Sequence, residues 1–259
     1  MEKVEELKKI VEDSDCVLIG IGSEFAWNPL NLELMKIFSE KKKAEGLNEE
    51  TDWLLPFINS YSCMHEEPEK ILKAYDNLYQ LIKGKNYFIV TLNTDEQIGK
   101  SKLEKEKITA PCGSMYRLQC SCGCEDSIID ARDVVEEVIS KLKQPETTIA
   151  GISKPICEKC GKELIFNVVE SKNYLESGYI KSWEKYRMWL TGTLNRKVCL
   201  LELGADFKYP SIIRWAFEKV AFINEKAVFV RINEKYPQLT EELKEKAYSY
   251  HKNSVEFFQ

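Results

Sequence analysis

Six of the chain's nine cysteines fall between residues 109 and 170, in two clusters. "PCGSMYRLQCSCGCED" (111–126) holds Cys112, Cys120, Cys122 and Cys124, and "PICEKCGKEL" (155–164) holds Cys157 and Cys160. In a reducing compartment such clusters mean metal or catalysis before disulfides. Cys157 and Cys160 form a C-x-x-C pair followed by glycine, which lets the backbone curl so that amides face the thiolates. Cys120, with Cys122 or Cys124, must supply the other half. Three intervening residues suit a knuckle better than one, so the expected ligands are Cys120, Cys124, Cys157 and Cys160. Four thiolates close a tetrahedral zinc site at ~2.3 Å per Zn–S bond, with no position left for water, so the expected metal is structural. The rival reading is a set of free buried thiols.

These residues need a frame. Val4, Leu7, Ile10 and Val11 recur at helical spacing over residues 2–12. "DCVLIGIG" (15–22) follows, a short, continuously apolar run ending in glycines. "NYFIVTLN" (86–93), "KVCLLELG" (197–204) and "KAVFVRIN" (226–233) repeat that look. Strands apolar on both faces are the mark of a buried parallel sheet. Between them, 69–83 carries an apolar helical face through Ile71, Tyr75, Leu78 and Ile82, and 210–222 opens with Pro210 at a plausible first helical position. Alternating strand and helix predicts an α/β fold: a Rossmann-like, doubly wound parallel sheet with helices on both faces. Ligands of such sheets bind at the carboxyl ends of the strands. Residues 109–170 break the rhythm and read as a small zinc-binding module inserted into a Rossmann-like domain of 1–108 and 171–259.

Composition narrows the function. With 259 residues, 44% hydrophobic and 31% charged, the chain can bury a sizeable core. A net charge of −5 argues against a nucleic-acid partner, and "KKK" at 41–43 reads as a solvated helix end. No apolar run approaches the ~20 residues of a membrane span. The charged opening lacks the apolar core of a signal peptide, so a cytoplasmic protein is expected.

Three stretches resemble the sirtuins, the NAD-dependent protein deacylases. "TLNTD" (91–95) resembles their T-Q-N-I-D element, and "CGSMYRLQC" (112–120) has the spacing of their H-G-x…C segment. "LELGADF" (201–207) and "VRIN" (230–233) resemble the late strands that hold the NAD ribose and phosphates. The runs "LYQLIKGKNYFIVTLNTD" and "RKVCLLELGADFKYPSIIRWAFEKV" are similar to the macrodomain-linked bacterial branch, the class M sirtuins. The likeness covers residues 68–236 and less of the N-terminal quarter.

The resemblance implies NAD as co-substrate, zinc as a structural ion and a protein acceptor, in that branch a lipoyl-carrier protein. It places Asn93 and Asp95 where the ribose and the nicotinamide amide are held. Gly20 and Gly22 fall on the phosphate loop, and Gly204 and Asn233 at the cofactor's other end. Turn residues at strand ends are the rival reading for all of these. Cys112 occupies the position of the catalytic histidine, and a neutral thiol is a poor base near pH 7. It would serve as a positioning group, a redox-sensitive group, an acceptor of ADP-ribose, or simply a small residue filling a pocket. The loop "SEFAWNPLNLELMK" (23–36) is short and carries no arginine. Phe25 would stand in as the aromatic lid; Trp27 and Trp53 belong to the altered pocket or to the core and rim. The expected activity is transfer of ADP-ribose to a protein, ahead of lysine deacylation or nucleotide sensing without catalysis.

Overall fold

Four continuously apolar runs form the centre of a six-stranded sheet. The structure, a computed structural model, describes residues 2–47 and 49–259; Met1 and Asn48 lie outside the described residues. In chain order the helices are α1 (Glu2–Glu12), α2 (Leu32–Ala44), α3 (Leu54–His65), α4 (Glu69–Ile82), α5 (Arg132–Lys143), α6 (Ile180–Thr191), α7 (Arg214–Ile223) and α8 (Ser254–Phe257). The strands are β1 (Cys16–Ile21), β2 (Asn86–Thr91), β3 (Ile108–Thr109), β4 (Gly113–Cys120), β5 (Ile129–Asp130), β6 (Leu164–Val168), β7 (Val198–Leu203), β8 (Val228–Ile232) and β9 (Ala247–Tyr250).

The large sheet runs β3-β2-β1-β7-β8-β9, and each neighbouring pair is parallel. That is the strand order of a dinucleotide-binding sheet, and its direction of winding reverses between β1 and β7. Every residue of β1 and β7 is buried. Val17, Ile19 and Ile21 share a core with Leu7 of α1, Tyr75 and Leu78 of α4 and Phe257 of α8. Cys16 and Leu18 share another with Tyr186 of α6 and Phe217 of α7. Helices therefore cover both faces, as the apolar strands require.

Gly20 corrects one expectation. It lies inside β1, not on a phosphate loop, and a Cβ there would sit 2.5 Å from Ile213 and 2.9 Å from the Phe217 ring. Its missing side chain lets α7 lie close on the sheet. The helix expected from Pro210 begins only at Arg214; the preceding turn is tied by the Trp215 N–H to the Pro210 carbonyl at 2.9 Å.

A second sheet, β5-β4-β6, is antiparallel. Its core joins Leu118 of β4, Phe166 of β6 and Val135 and Ile139 of α5 to Leu34 and Phe38 of α2 and Phe57 and Ile58 of α3. The smaller core is thus wider than residues 109–170, because α2 and α3 close over α5 and β6. The Met115 N–H bonds to the Thr94 carbonyl at 2.8 Å and joins this layer to the loop after β2.

Candidate active site

The two cysteine clusters meet at one end of the small sheet. The Sγ atoms of Cys120, Cys124, Cys157 and Cys160 all lie within 4.8 Å of one another, with Cys120 and Cys160 at 3.4 Å. A tetrahedral zinc with ~2.3 Å Zn–S bonds separates its sulfurs by about 3.8 Å, so the set fits zinc. Cys122 lies exposed outside the set, and its backbone N–H points to the Cys120 sulfur at 3.4 Å. The Gly161 N–H bonds to the Cys157 carbonyl at 2.8 Å and closes the second turn. Four sulfur ligands leave no open position, so this ion would hold the fold.

Another constellation sits where β1, β2 and β7 end. A cavity of about 240 Å³ is lined by Trp27, Cys63, Asn93, Asp95, Cys112, Glu170, Asp206 and Lys208, among others. Asn93, Asp95 and Cys112, expected together from the sequence, all line it. Asp95 is 5% exposed and is held by the Trp27 N–H at 2.6 Å and the Gln97 N–H at 2.9 Å. Burial pushes its carboxyl up to about 6, against the pull of these two donors. Asn93 is 8% exposed, and its side chain meets the buried Tyr75 hydroxyl. The Trp27 indole nitrogen is buried and unpartnered.

Cys112 is 1% exposed, and burial pushes its thiol up to about 12. It stays protonated at neutral pH and cannot act as a base. Neither histidine of the chain replaces it, since His65 pairs with Glu136 at the surface and His251 is exposed.

Phe25 is a correction to the sequence expectation. It is fully buried and packs on Tyr75 with ring centroids 5.0 Å apart, so it is a core residue and no lid. Trp27, two residues on, lines the cavity instead.

Gly204 and Asn233 line a neighbouring cavity of about 310 Å³, along with Ser23, Glu24 and Asp206. Gly22 flanks it: a Cβ there would meet Ala205 at 2.3 Å, so the turns after β1 and β7 touch only because it has none. Asn233 builds the loop around it, donating to the Ala205 carbonyl at 2.7 Å and accepting from the Lys235 and Tyr236 amides. On the other side, an apolar groove of about 610 Å³ is lined by Leu30, Trp53, Phe57 and Phe166. The central cavity shares Asn28, Asn59 and Met115 with the groove, and Ser23 and Asp206 with the second cavity. The three adjoin one another along these shared residues.

Sequence reasoning missed much of this wall. Cys63 comes from α3 and Glu170 from the loop after β6, where its carboxylate accepts from Lys208 and from the Tyr209 hydroxyl. Burial opposes the Glu170 charge, but these bonds outweigh it and hold the carboxyl below its usual range. The "ADFKY" stretch after β7 offered the one readable signal: acidic, basic and phenolic groups in a loop at a strand's carboxyl end.

No family model matches the chain. It is 21% identical, over 95% of its length and 82% of the relative's, to a protein ADP-ribosyltransferase of Staphylococcus aureus. It is 25% identical, over 52% of its length and 23% of the relative's, to a probable bifunctional ADP-ribose hydrolase/ADP-ribosyltransferase of Fusarium oxysporum. Among solved structures it is similar to Sir2 with a p53 peptide and NAD+, with a TM-score of 0.61 and 14% identity, covering 99% of this chain and 95% of that one. Sir2 bound to an acetylated peptide gives a TM-score of 0.61 at 16% identity, covering 99% and 95%. With a parallel sheet wound in dinucleotide-binding order, a second layer carrying a four-cysteine cluster and this likeness over nearly the whole chain, the protein has the sirtuin fold.

Proposed function

We propose that the protein is an NAD-dependent transferase that moves ADP-ribose to a protein acceptor. The observation that supports this reading is the central cavity, which brings Asn93, buried Asp95 and Cys112 into one wall. The name of the Staphylococcus relative supports the same chemistry. NAD would supply the ADP-ribosyl group, with nicotinamide as the leaving group. The Gly204 cavity would take the adenosine end, the central cavity the nicotinamide ribose, and the apolar groove the approaching acceptor.

Within that frame Asp95 stabilises positive charge as the glycosidic bond breaks. A carboxylate in a dry site does this far better than one in water. Asn93 presents a donor to the ribose or the amide. Cys112, neutral and small, leaves the ribose hydroxyls without a strong base, which disfavours lysine deacylation. A class M-like mono-ADP-ribosyltransferase acting on a lipoyl-carrier protein is the specific form we propose. Four thiolates at the far end of the small sheet would hold zinc and keep that wall of the cleft in place.

The test is to incubate the protein with NAD and candidate carrier proteins, then read intact masses and released nicotinamide. The reading expects an acceptor heavier by one ADP-ribose. Binding of ADP-ribose without NAD cleavage would favour a nucleotide sensor instead, and turnover of acyl-lysine peptides would favour a deacylase.

A further inference from the structure

Glu202, Arg214 and Arg231 are buried charges that the proposed chemistry does not use. Glu202 on β7 and Arg231 on β8 lie side by side in strands that are otherwise apolar. Taking such charges out of water is costly, and well-packed apolar side chains commonly serve stability as well. Arg231 alone satisfies Glu202, meeting its two oxygens at 2.9 and 2.8 Å. Arg214, at the start of α7, adds one further bond to that acid at 3.0 Å and spends the rest of its guanidinium elsewhere. It donates to the Ala205 carbonyl at 3.0 Å and to the Tyr236 carbonyl at 3.3 Å. The guanidinium carbon lies 4.5 Å from the centre of the Phe207 ring and 5.9 Å from that of Tyr236, and the two rings meet edge to face at 5.0 Å.

These contacts bear on the second cavity. Ala205 and Phe207 flank Asp206, which lines both the central and the second cavity, and residues 233–236 line the second. Asn233 donates to the same Ala205 carbonyl at 2.7 Å. One guanidinium thus grips the loop after β7 and the loop after β8 together. We propose that Arg214 is a positioning residue for the second cavity, a fork that sets the separation of the two loops between which the adenosine end of NAD would lie. The inference rests on the NAD-dependent reading above. Lysine could not replace it: an ammonium keeps the charge beside Glu202, but it lacks the planar fork that spans two carbonyls and lies against two rings.

The experiment compares wild type with Arg214→Lys, which keeps the charge, and with Phe207→Leu, which removes a ring from an exposed position against the guanidinium. Calorimetry measures ADP-ribose affinity, amide hydrogen exchange shows which segments open, and melting temperatures check folding. Arg214→Lys should weaken ADP-ribose binding roughly fivefold to twentyfold, the range for one or two hydrogen bonds. Exchange should quicken in residues 204–207 and 233–238 and stay as in wild type in residues 91–97, beside the central cavity. Phe207→Leu should move both readouts the same way, with a loss of affinity of roughly twofold to fivefold. Unchanged ADP-ribose affinity in Arg214→Lys would overturn the inference, as would exchange that quickens throughout the chain, the mark of a merely structural residue. Should Arg214→Lys not fold, Phe207→Leu decides alone, and unchanged affinity and exchange there would overturn it. Wild type that binds no ADP-ribose would sink the functional reading, while the exchange of the two loops would still decide whether Arg214 holds them.

Discussion

Two buried acids stand near the carboxyl ends of strands in the same sheet, and their surroundings are opposite. Glu202 of β7 is fully buried and meets two arginines: Arg214 at 3.0 Å on one oxygen, with Arg231 at 2.9 Å on that oxygen and 2.8 Å on the other. Arg231 also reaches Glu218 at 2.7 Å, and Arg214 reaches the Ala205 carbonyl. Burial raises the Glu202 carboxyl, against the pull of both arginines. Asp95 has two backbone donors and, among the described residues, no cation within ion-pair distance. Asn93, close by, turns its side chain toward the buried Tyr75 hydroxyl. The first acid is complete within the protein and fixes the loops after β7 and β8. The second keeps acceptor capacity that the protein does not use, as the proposed binding role requires.

Breaking the complete site should have the largest effect on stability. Arg231→Met strands Glu202 with half its partners and exposes Glu218 to a lost ion pair. Denaturant unfolding should show a loss of about 3–5 kcal/mol. Unchanged stability would mean that the network is solvated and that the contrast drawn here is false.

The incomplete site should be costly in function. Asp95→Ala should reduce nicotinamide release by roughly a hundredfold to a thousandfold, the usual loss for a charge-stabilising group, while the melting temperature at pH 7 holds or rises. Its pH dependence has a definite sign. The Asp95 carboxyl is raised from 3.8 to about 6 in the folded protein, so the native state holds the proton more tightly than the unfolded chain. The stability it contributes is fully present below about pH 4 and is lost as pH rises through about 6, a swing of ~3 kcal/mol. Subtracting the Asp95→Ala unfolding curve from that of wild type across this window isolates the swing. A difference that grew with pH would refute the burial account.

Cys112 should matter least. With a thiol pushed up to about 12 it carries no charge to lose, so Cys112→Ser should change turnover by no more than about threefold. A loss of a hundredfold would make the thiol a participant in the chemistry.

What the sequence revealed follows the same division. The sheet was legible because strands buried on both faces must be apolar throughout, and β1, β2, β7 and β8 fall within the four runs that showed it. The cysteine set was legible because each pair is local and metal ligation demands particular spacings. Gly20 misled because a glycine serving helix packing and one serving phosphate approach look alike after an apolar strand. Phe25 misled because no periodicity tells which way an aromatic points in a three-residue turn. Helix α3 went unread beneath Pro56, and β9 is a short edge strand with two of its residues exposed. The cavity wall was the least visible part. Cys63, Glu170 and Lys208 come from three distant stretches, and only the winding of the chain brings them to one place.

The account's central claim is that the incomplete acid, not the thiol at the histidine position, carries the chemistry. The most direct measurement is nicotinamide release from NAD, with a carrier protein present, by wild type, Cys112→Ser and Asp95→Ala at matched folded fractions. The account predicts release by the first two at similar rates and almost none by the third. Release that survives Asp95→Ala, or that vanishes with Cys112→Ser alone, would contradict it.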